Sequence, residues 1–203
     1  MLTSKGGHVL AATKPLVVGI GGSTRKGSTG EFALLAALEA AERGGARTLV
    51  FPGTFLARMP IYSPEHIERN QEQRELVEAV RQADGLILAS PGYHGGISGL
   101  VKNALDLLED LRDDRRRYLE GRAVGCIITA GGWQTVGSAL TSLRSIVHAL
   151  RGWPTPFGAG LNITEKLFDS NGNCMDPAVA NQLAMVGRQV AEFARRWTGN
   201  GGI

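Results

Sequence analysis

The sequence is poor in several features that would point to other classes of protein. It has only two cysteines, Cys126 and Cys174, in no Cys-x-x-Cys spacing, and Cys126 sits inside the apolar run AVGCIITA. A disulfide scaffold and a thiolate metal site are therefore not expected; a reduced, buried thiol in a cytoplasmic protein is. No stretch approaches the ~20 apolar residues of a membrane span. The opening MLTSKGGHVLAATKP is too broken for the hydrophobic segment of a secretory signal. Charge of one sign is scarce as well. The formal net charge is +3 (22 Lys and Arg against 19 Asp and Glu), and the basic residues are scattered except in RDDRRR, Arg112 to Arg117. That balance speaks against nucleic acid as a partner. Repeats, low-complexity segments and linkers are lacking too, so one domain is expected over 15–198, with a flexible arm at 1–14 and a frayed tail at 199–203.

What is present is an alternation of two patterns. Five apolar segments read as strands: Leu16 to Gly22, Ala46 to Phe51, Gly85 to Ser90, Ala123 to Ala130 and Phe157 to Ile163. Their runs are continuous, the signature of strands buried on both faces. Between them lie helices with start signals. Ser28 and Glu31 have capping-box spacing ahead of Phe32, Leu35 and Leu38. Ser63 and Pro64 open a stretch in which Ile67, Leu76, Val77 and Val80 roughly share a face. Ser98 precedes Leu100, Val101, Ala104, Leu105, Leu108 and Leu111, and Asp176 with Pro177 opens a last helix carrying Leu183, Val186, Val190, Phe193 and Trp197. Parallel neighbours need long crossovers, which helices supply, so the fold class is α/β. Five strands favour a flavodoxin-like three-layer sandwich with a parallel sheet of order 2-1-3-4-5.

The loop GIGGSTRKGSTGE, Gly19 to Glu31, matches neither common nucleotide fingerprint. A Walker A loop would need Lys where Ser28 stands, so the main partner of a triphosphate is missing. A dinucleotide fingerprint would need glycine at Thr24 and an acidic residue near Phe51 and Pro52. The loop does offer hydroxyls and amides at a helix N-terminus, with Ser23, Thr24, Arg25, Ser28 and Thr29, a combination suited to one terminal phosphate. A plain serine-capped turn fits the same residues. In the order 2-1-3-4-5 the loops after strands 1 and 3 border the crevice where such sheets bind ligands. The second of these is SPGYHGGISG, and AGGWQTVGS after the fourth strand adjoins it. Tyr93 and Trp133 in these two loops suit a flat ring.

The segments GGSTRKGS, SPGYHGGISGLVKNALD and EGRAVGCIITAGG resemble the NADPH-dependent FMN reductase family, a flavodoxin-like group that includes quinone and azo-compound reductases. The resemblance implies that Ser23, Arg25 and Ser28 take the FMN phosphate, with Thr24, Lys26 and Gly27 supplying neighbouring contacts. It implies that Pro91, Gly92, Tyr93, His94 and Gly95 cradle the isoalloxazine, and that Gly131, Gly132 and Trp133 flank it. The implied activity passes hydride from NADPH or NADH through FMN to a small acceptor by ping-pong turnover, in a homodimer or homotetramer, with no metal. Many members carry Pro-Glu-Tyr-Asn where this chain has Pro91-Gly92-Tyr93-His94, so any hydrogen bond made by that Asn is reassigned or lost. His94 is a candidate proton donor and equally a loop hydrogen-bonding residue. Three other functions stay open: a component supplying reduced FMN to a monooxygenase, a non-enzymatic, flavodoxin-like electron carrier, and a module that has lost flavin and binds some other phosphate or a protein. Arg115, Arg116 and Arg117 form a solvated loop or meet the 2′-phosphate of NADPH or a partner subunit. His148 is expected to pack, and Trp133 either covers the ring or packs.

Overall fold

The computed structural model describes residues 14–199, so most of the expected arm, His8 included, and the tail beyond Gly199 lie outside the described residues. In chain order the elements are β1 (Leu16–Gly21), α1 (Thr29–Arg43), β2 (Arg47–Phe51), the short α2 (Gly53–Leu56), α3 (Gln71–Gln82), β3 (Gly85–Tyr93), β4 (Gly96–Ile97) and α4 (Gly99–Asp106). A 3-10 turn, Leu107–Leu111, continues α4; then come β5 (Ala123–Ala130), α5 (Trp133–Ala149), β6 (Trp153–Pro154), β7 (Ala159–Asn162) and α6 (Pro177–Gly199). The sheet runs β2-β1-β3-β5-β6 with every pair parallel, β7 also pairs with β5, and β4 folds back antiparallel onto β3.

This is the flavodoxin-like order, with the fifth strand in two pieces. β6 pairs with the start of β5 (Ala123 with Trp153) and β7 with its end (Ile127 with Ala159 through Ala130 with Asn162). The break has a local cause: Thr155 still donates to Val124 O at 3.0 Å, but Pro156 has no N–H to continue the ladder. β1 and β5 are buried along their whole length, as continuous apolar runs require. Neighbouring residues face opposite ways into two cores: Val18, Leu88 and Ile128 into one with α3, α4 and α5, and Val17, Ile87 and Ile127 into the other with α1 and α6. These are the three layers.

Two expectations need correcting. β2 is apolar yet lies at the sheet edge, where Leu49 and Val50 remain exposed, because it has a single neighbouring strand. The helix expected from Ser63 and Pro64 begins only at Gln71. There Asn70 and Gln73 make a complete capping box, Gln73 N donating to Asn70 Oδ1 at 2.9 Å and Asn70 N to Gln73 Oε1 at 3.0 Å. The residues before it are tied down as loop: Arg69 grips Asp110 through two bonds of 2.8 and 2.9 Å and covers the Tyr62 ring, leaving Ile67 87% exposed. The apolar face of α4 and its 3-10 extension is spent within the chain, since Val101, Leu105, Leu108 and Leu111 are all buried. No helix among the described residues is long and apolar enough to cross a membrane.

Candidate active site

Because β1, β3 and β5 are parallel neighbours, the three glycine-rich loops that follow them emerge together at the carboxyl end of the sheet. The first is anchored at both ends. Gly22 donates to Ala89 O at 2.8 Å, and Ser28 caps α1, its Oγ accepting from Glu31 N at 3.2 Å. Between them Thr24, Arg25, Lys26 and Gly27 are exposed while Ser28 is buried. Only half of the expected capping box forms at Ser28. Instead of returning to Ser28 N, the Glu31 carboxylate accepts from Gly27 N at 2.6 Å. An anionic oxygen therefore already sits on this amide, next to the positive end of α1.

The loop's position is set from outside by Gly53, the first residue of α2. A side chain there would put its Cβ 2.1 Å from Ser23 O and 2.7 Å from Ser23 N, so only glycine lets Ser23 lie where it does. The loop after β7 reaches the same place. Lys166, Asp169 and Ser170 join Arg25, Lys26 and Gly27 around a cleft of ≈ 410 Å³. Asp169 is engaged within its own turn, accepting from Asn171 N, Asn173 N and Asn173 Nδ2, and these bonds hold its carboxyl below the usual carboxylate range. Lys166 thus adds a cation that sequence reasoning missed. No pattern in NITEKLFDSNGNC marks it, because its closeness to α1 arises from the return of the chain after β7.

The second loop is an ordered hairpin. Tyr93 pairs with Gly96 and Gly92 with Ile97, leaving His94 (φ 51°) and Gly95 (φ 83°) as the two central residues of a tight turn. Positive φ at both positions matches the twist of the strands. The hairpin is braced by Ser90, whose Oγ donates to Pro91 O at 2.9 Å and accepts from Ser98 N at 2.9 Å. Gly92 is tightly packed: a Cβ would stand 3.0 Å from Thr135 Cγ2 and 3.2 Å from Ala130 Cβ, so a side chain here requires those two to give way by a few tenths of an ångström. Tyr93 is 57% exposed, and His94 is exposed at the tip.

The third loop opens α5 with Gly132 as N-cap and no side-chain capping bond, so the first amides of the helix are unclaimed by a cap. Neither Gly131 nor Gly132 has a protein neighbour that demands glycine. Trp133 is 67% exposed and lines a cleft of ≈ 260 Å³ with Asn162, Thr164, Glu165 and Asp176, so it does not pack into a core. Every expected site residue, Ser23 to Ser28, Pro91 to Gly95 and Gly131 to Trp133, therefore lies at one end of the sheet. Arg115, Arg116 and Arg117 do not. They precede β5, whose seven residue steps at ~3.3 Å each put them about 23 Å from the loop that follows it, so within one chain they are at the wrong end to meet NADPH lying on a ring beside Tyr93. His148 is exposed at that far end rather than packed. Among the described residues no group of three or more His, Cys, Asp and Glu could hold a metal ion.

The donor set fits FMN on two counts: a loop amide that binds a carboxylate oxygen at a helix N-terminus, and two further glycine-rich loops with exposed aromatic rings at the same end of the sheet. The sequence profile of the NADPH-dependent FMN reductase family matches residues 15–162. An FMN-dependent NADPH-azoreductase of Staphylococcus aureus is 38% identical over 94 residues, which make up 46% of this chain and 46% of that protein. The match thus spans about half the length of this curated relative. Among solved structures, the flavoenzyme NAD(P)H:(acceptor) oxidoreductase FerB of Paracoccus denitrificans superposes with a TM-score of 0.73 at 16% identity, covering 90% of this chain and 98% of that one. An NADH:FMN oxidoreductase in its apo form gives 0.66 at 23% identity, with 90% of each chain covered. At these identities the structural likeness speaks for the fold.

Proposed function

The chain belongs to the NADPH-dependent FMN reductase family, and from that premise we propose that it is an NAD(P)H-dependent oxidoreductase, a single domain over 15–198. In this reading it holds FMN at the carboxyl end of its sheet and reduces a small acceptor such as a quinone, an azo compound or free flavin. The observation that carries the reading is the Gly27 amide bound to the Glu31 carboxylate at 2.6 Å, an anion site in the loop that borders the glycine hairpin. When bound, FMN supplies two-electron transfer between a pyridine nucleotide and an acceptor.

The chain's own residues bind and orient. Ser23, Thr24, Ser28 and the Gly27 amide take the phosphate, with Arg25, Lys26 and Lys166 neutralising it. The Gly27 amide would serve the phosphate in place of the Glu31 carboxylate. Pro91 to Gly95 would support the ring, and the His94 and Gly95 amides, which have no ladder partner at the centre of a two-residue turn, would be available as donors to it. His94 holds the turn and stands where it can pass a proton to an acceptor. Gly131, Gly132 and Trp133 wall the opposite side. Tyr93 and Trp133 are both exposed at this end of the sheet, leaving the ring open for donor and acceptor in turn, the arrangement that ping-pong kinetics needs. Those exposed rings also support a homodimer or homotetramer in which a second copy completes the wall.

The direct test is to purify the protein and add NADPH without oxygen. Flavin absorbance that bleaches is the expected result; a colourless protein that takes up no FMN overturns the reading. Intersecting rather than parallel double-reciprocal plots would remove the ping-pong order. Colourless protein that oxidises NADPH only with added FMN favours the second reading, FMN as a released product for a monooxygenase. The competing Glu31 carboxylate is the feature that favours that reading.

A further inference from the structure

At the opposite, amino end of the sheet lies a groove of ≈ 440 Å³ lined by Arg115, Arg116, Arg151, His148, Trp153 and Trp197, with Glu120 at its edge. Its volume is that of a small-molecule site, and its lining combines two kinds of recognition. Trp153 is 57% exposed, leaving much of its surface free to stack, and Trp197 is itself stacked on Phe193 with centroids 5.6 Å apart. The charges around it do not balance. Asp84 spends Oδ2 on Leu16 N at 2.8 Å, and its Oδ1 is 3.9 Å from Arg116 Nη1. Behind Arg116, the Arg122 side chain is fully buried among backbone carbonyls. Arg116 donates Nη1 to Ala83 O at 3.2 Å, but its Nη2 is buried with no hydrogen-bond partner. That nitrogen is closed off from solvent, so the surplus charge that reaches the groove is carried by Arg115 and Arg151, which form no ion pair among the described residues.

We propose that this groove binds a small aromatic anion, a flat ring bearing a phosphate or similar oxyanion, with the ring on Trp153 and the oxyanion on Arg115, Arg116 and Arg151. Burial lowers Arg116, and burial together with the Arg116 guanidinium lowers Arg122 to about 10; a bound oxyanion would offset that repulsion. The residues ahead of β1 are no match for the site: 1–13 contain Lys5 and His8 and no carboxylate. The site is also separate from the flavin loops by the length of β5.

The test is calorimetric titration of FMN-saturated protein with adenosine 5′-monophosphate, with adenosine and inorganic phosphate as probes of ring and anion alone. The expected result is one site per chain for the nucleotide, at least tenfold weaker binding of either half, and at least a tenfold loss in Trp153→Ala and in Arg115→Ala with flavin content unchanged. Trp153→Phe, which keeps a stacking face, should restore most of the affinity. Absence of binding overturns the proposal, as does binding that the variants leave unchanged, which would place the nucleotide over the flavin. Phosphate binding as tightly as the nucleotide removes the ring from the site. A change of native mass in Trp153→Ala would identify the groove as a subunit interface instead.

Discussion

The two ends of the sheet recognise charge by opposite means. At the carboxyl end the useful donors are backbone amides: α1 and α5 both begin there, Gly27 N offers itself to a carboxylate, and the side chains of the first loop are mostly small. At the amino end the helices finish, and what they present is carbonyl oxygen. Arg122 answers it, its Nε donating to Ala83 O at 2.9 Å, Nη2 to Arg81 O at 2.8 Å and Nη1 to Tyr118 O at 3.0 Å. In a parallel α/β sheet every crossover helix points the same way, so one end collects free N–H groups and invites anions, while the other collects free C=O groups and invites arginine. Arg116 and Arg122 both donate to Ala83 O at that end, whereas Arg81 pairs with Asp114 and Arg151 lies over the Tyr118 ring; the anion-binding capacity proposed for the groove is the charge that these contacts leave unused.

Breaking the amino end should have the largest effect. Arg122→Ala orphans several buried carbonyls at once and is expected to cost about 3–5 kcal/mol, read in denaturant titration, while the folded fraction keeps its flavin. Loss of flavin at equal folded fraction would show that the ends are not independent. Next comes Gly53→Ala, whose methyl group overlaps Ser23 O. It should lower stability by about 1–3 kcal/mol and release FMN, because the whole first loop must shift.

Ser23→Ala with Arg25→Ala should release FMN without such a shift, lowering affinity at least tenfold, or roughly 1.4 kcal/mol, with the melting temperature almost unmoved. Unchanged flavin content would put the phosphate elsewhere. A smaller change in the other direction is expected of Glu31→Gln, which removes the charge competing for Gly27 N. FMN affinity should rise severalfold, and a fall would show that Glu31 organises the loop for the cofactor. The smallest effect lies midway between the ends. Burial pushes the Cys126 thiol up to about 12, so a thiol reagent at neutral pH should label Cys174 in the native protein and Cys126 only on unfolding. Since an unfolded Cys126 loses its proton at lower pH than the folded one, stability should also fall as pH rises past the ordinary thiol range.

Much of this is legible in the sequence alone. The strands, the caps at Ser28, Ser98 and Asp176 and the gathering of three loops at one edge follow from short-range spacing, and all are present. Where two local signals competed, spacing misled: Ser63 and Pro64 look like a helix start, but Asn70 and Gln73 cap more completely and Arg69 binds the intervening loop to Asp110. Glu31 was legible as a capping residue, though not that it would choose Gly27 over Ser28. The cluster RDDRRR drew the eye to exposed arginines, whereas the buried one is Arg122, two residues past an unremarkable glutamate.

The sequence by itself determined the alternation of strand and helix, the glycine-rich loops, and which of them meet at the carboxyl edge, since each depends on residues a few positions apart or on the direction of a parallel strand. Only the tertiary structure decided that Gly53 sets the position of Ser23, that Lys166 returns to the first loop, that Pro156 divides the fifth strand without displacing it, that Arg116 keeps a buried nitrogen without a partner, and that Arg115, Arg151 and Trp153 line one groove. Those outcomes depend on which distant surfaces are pressed together, and burial then settles whether a charge is satisfied, shared or left waiting for a ligand.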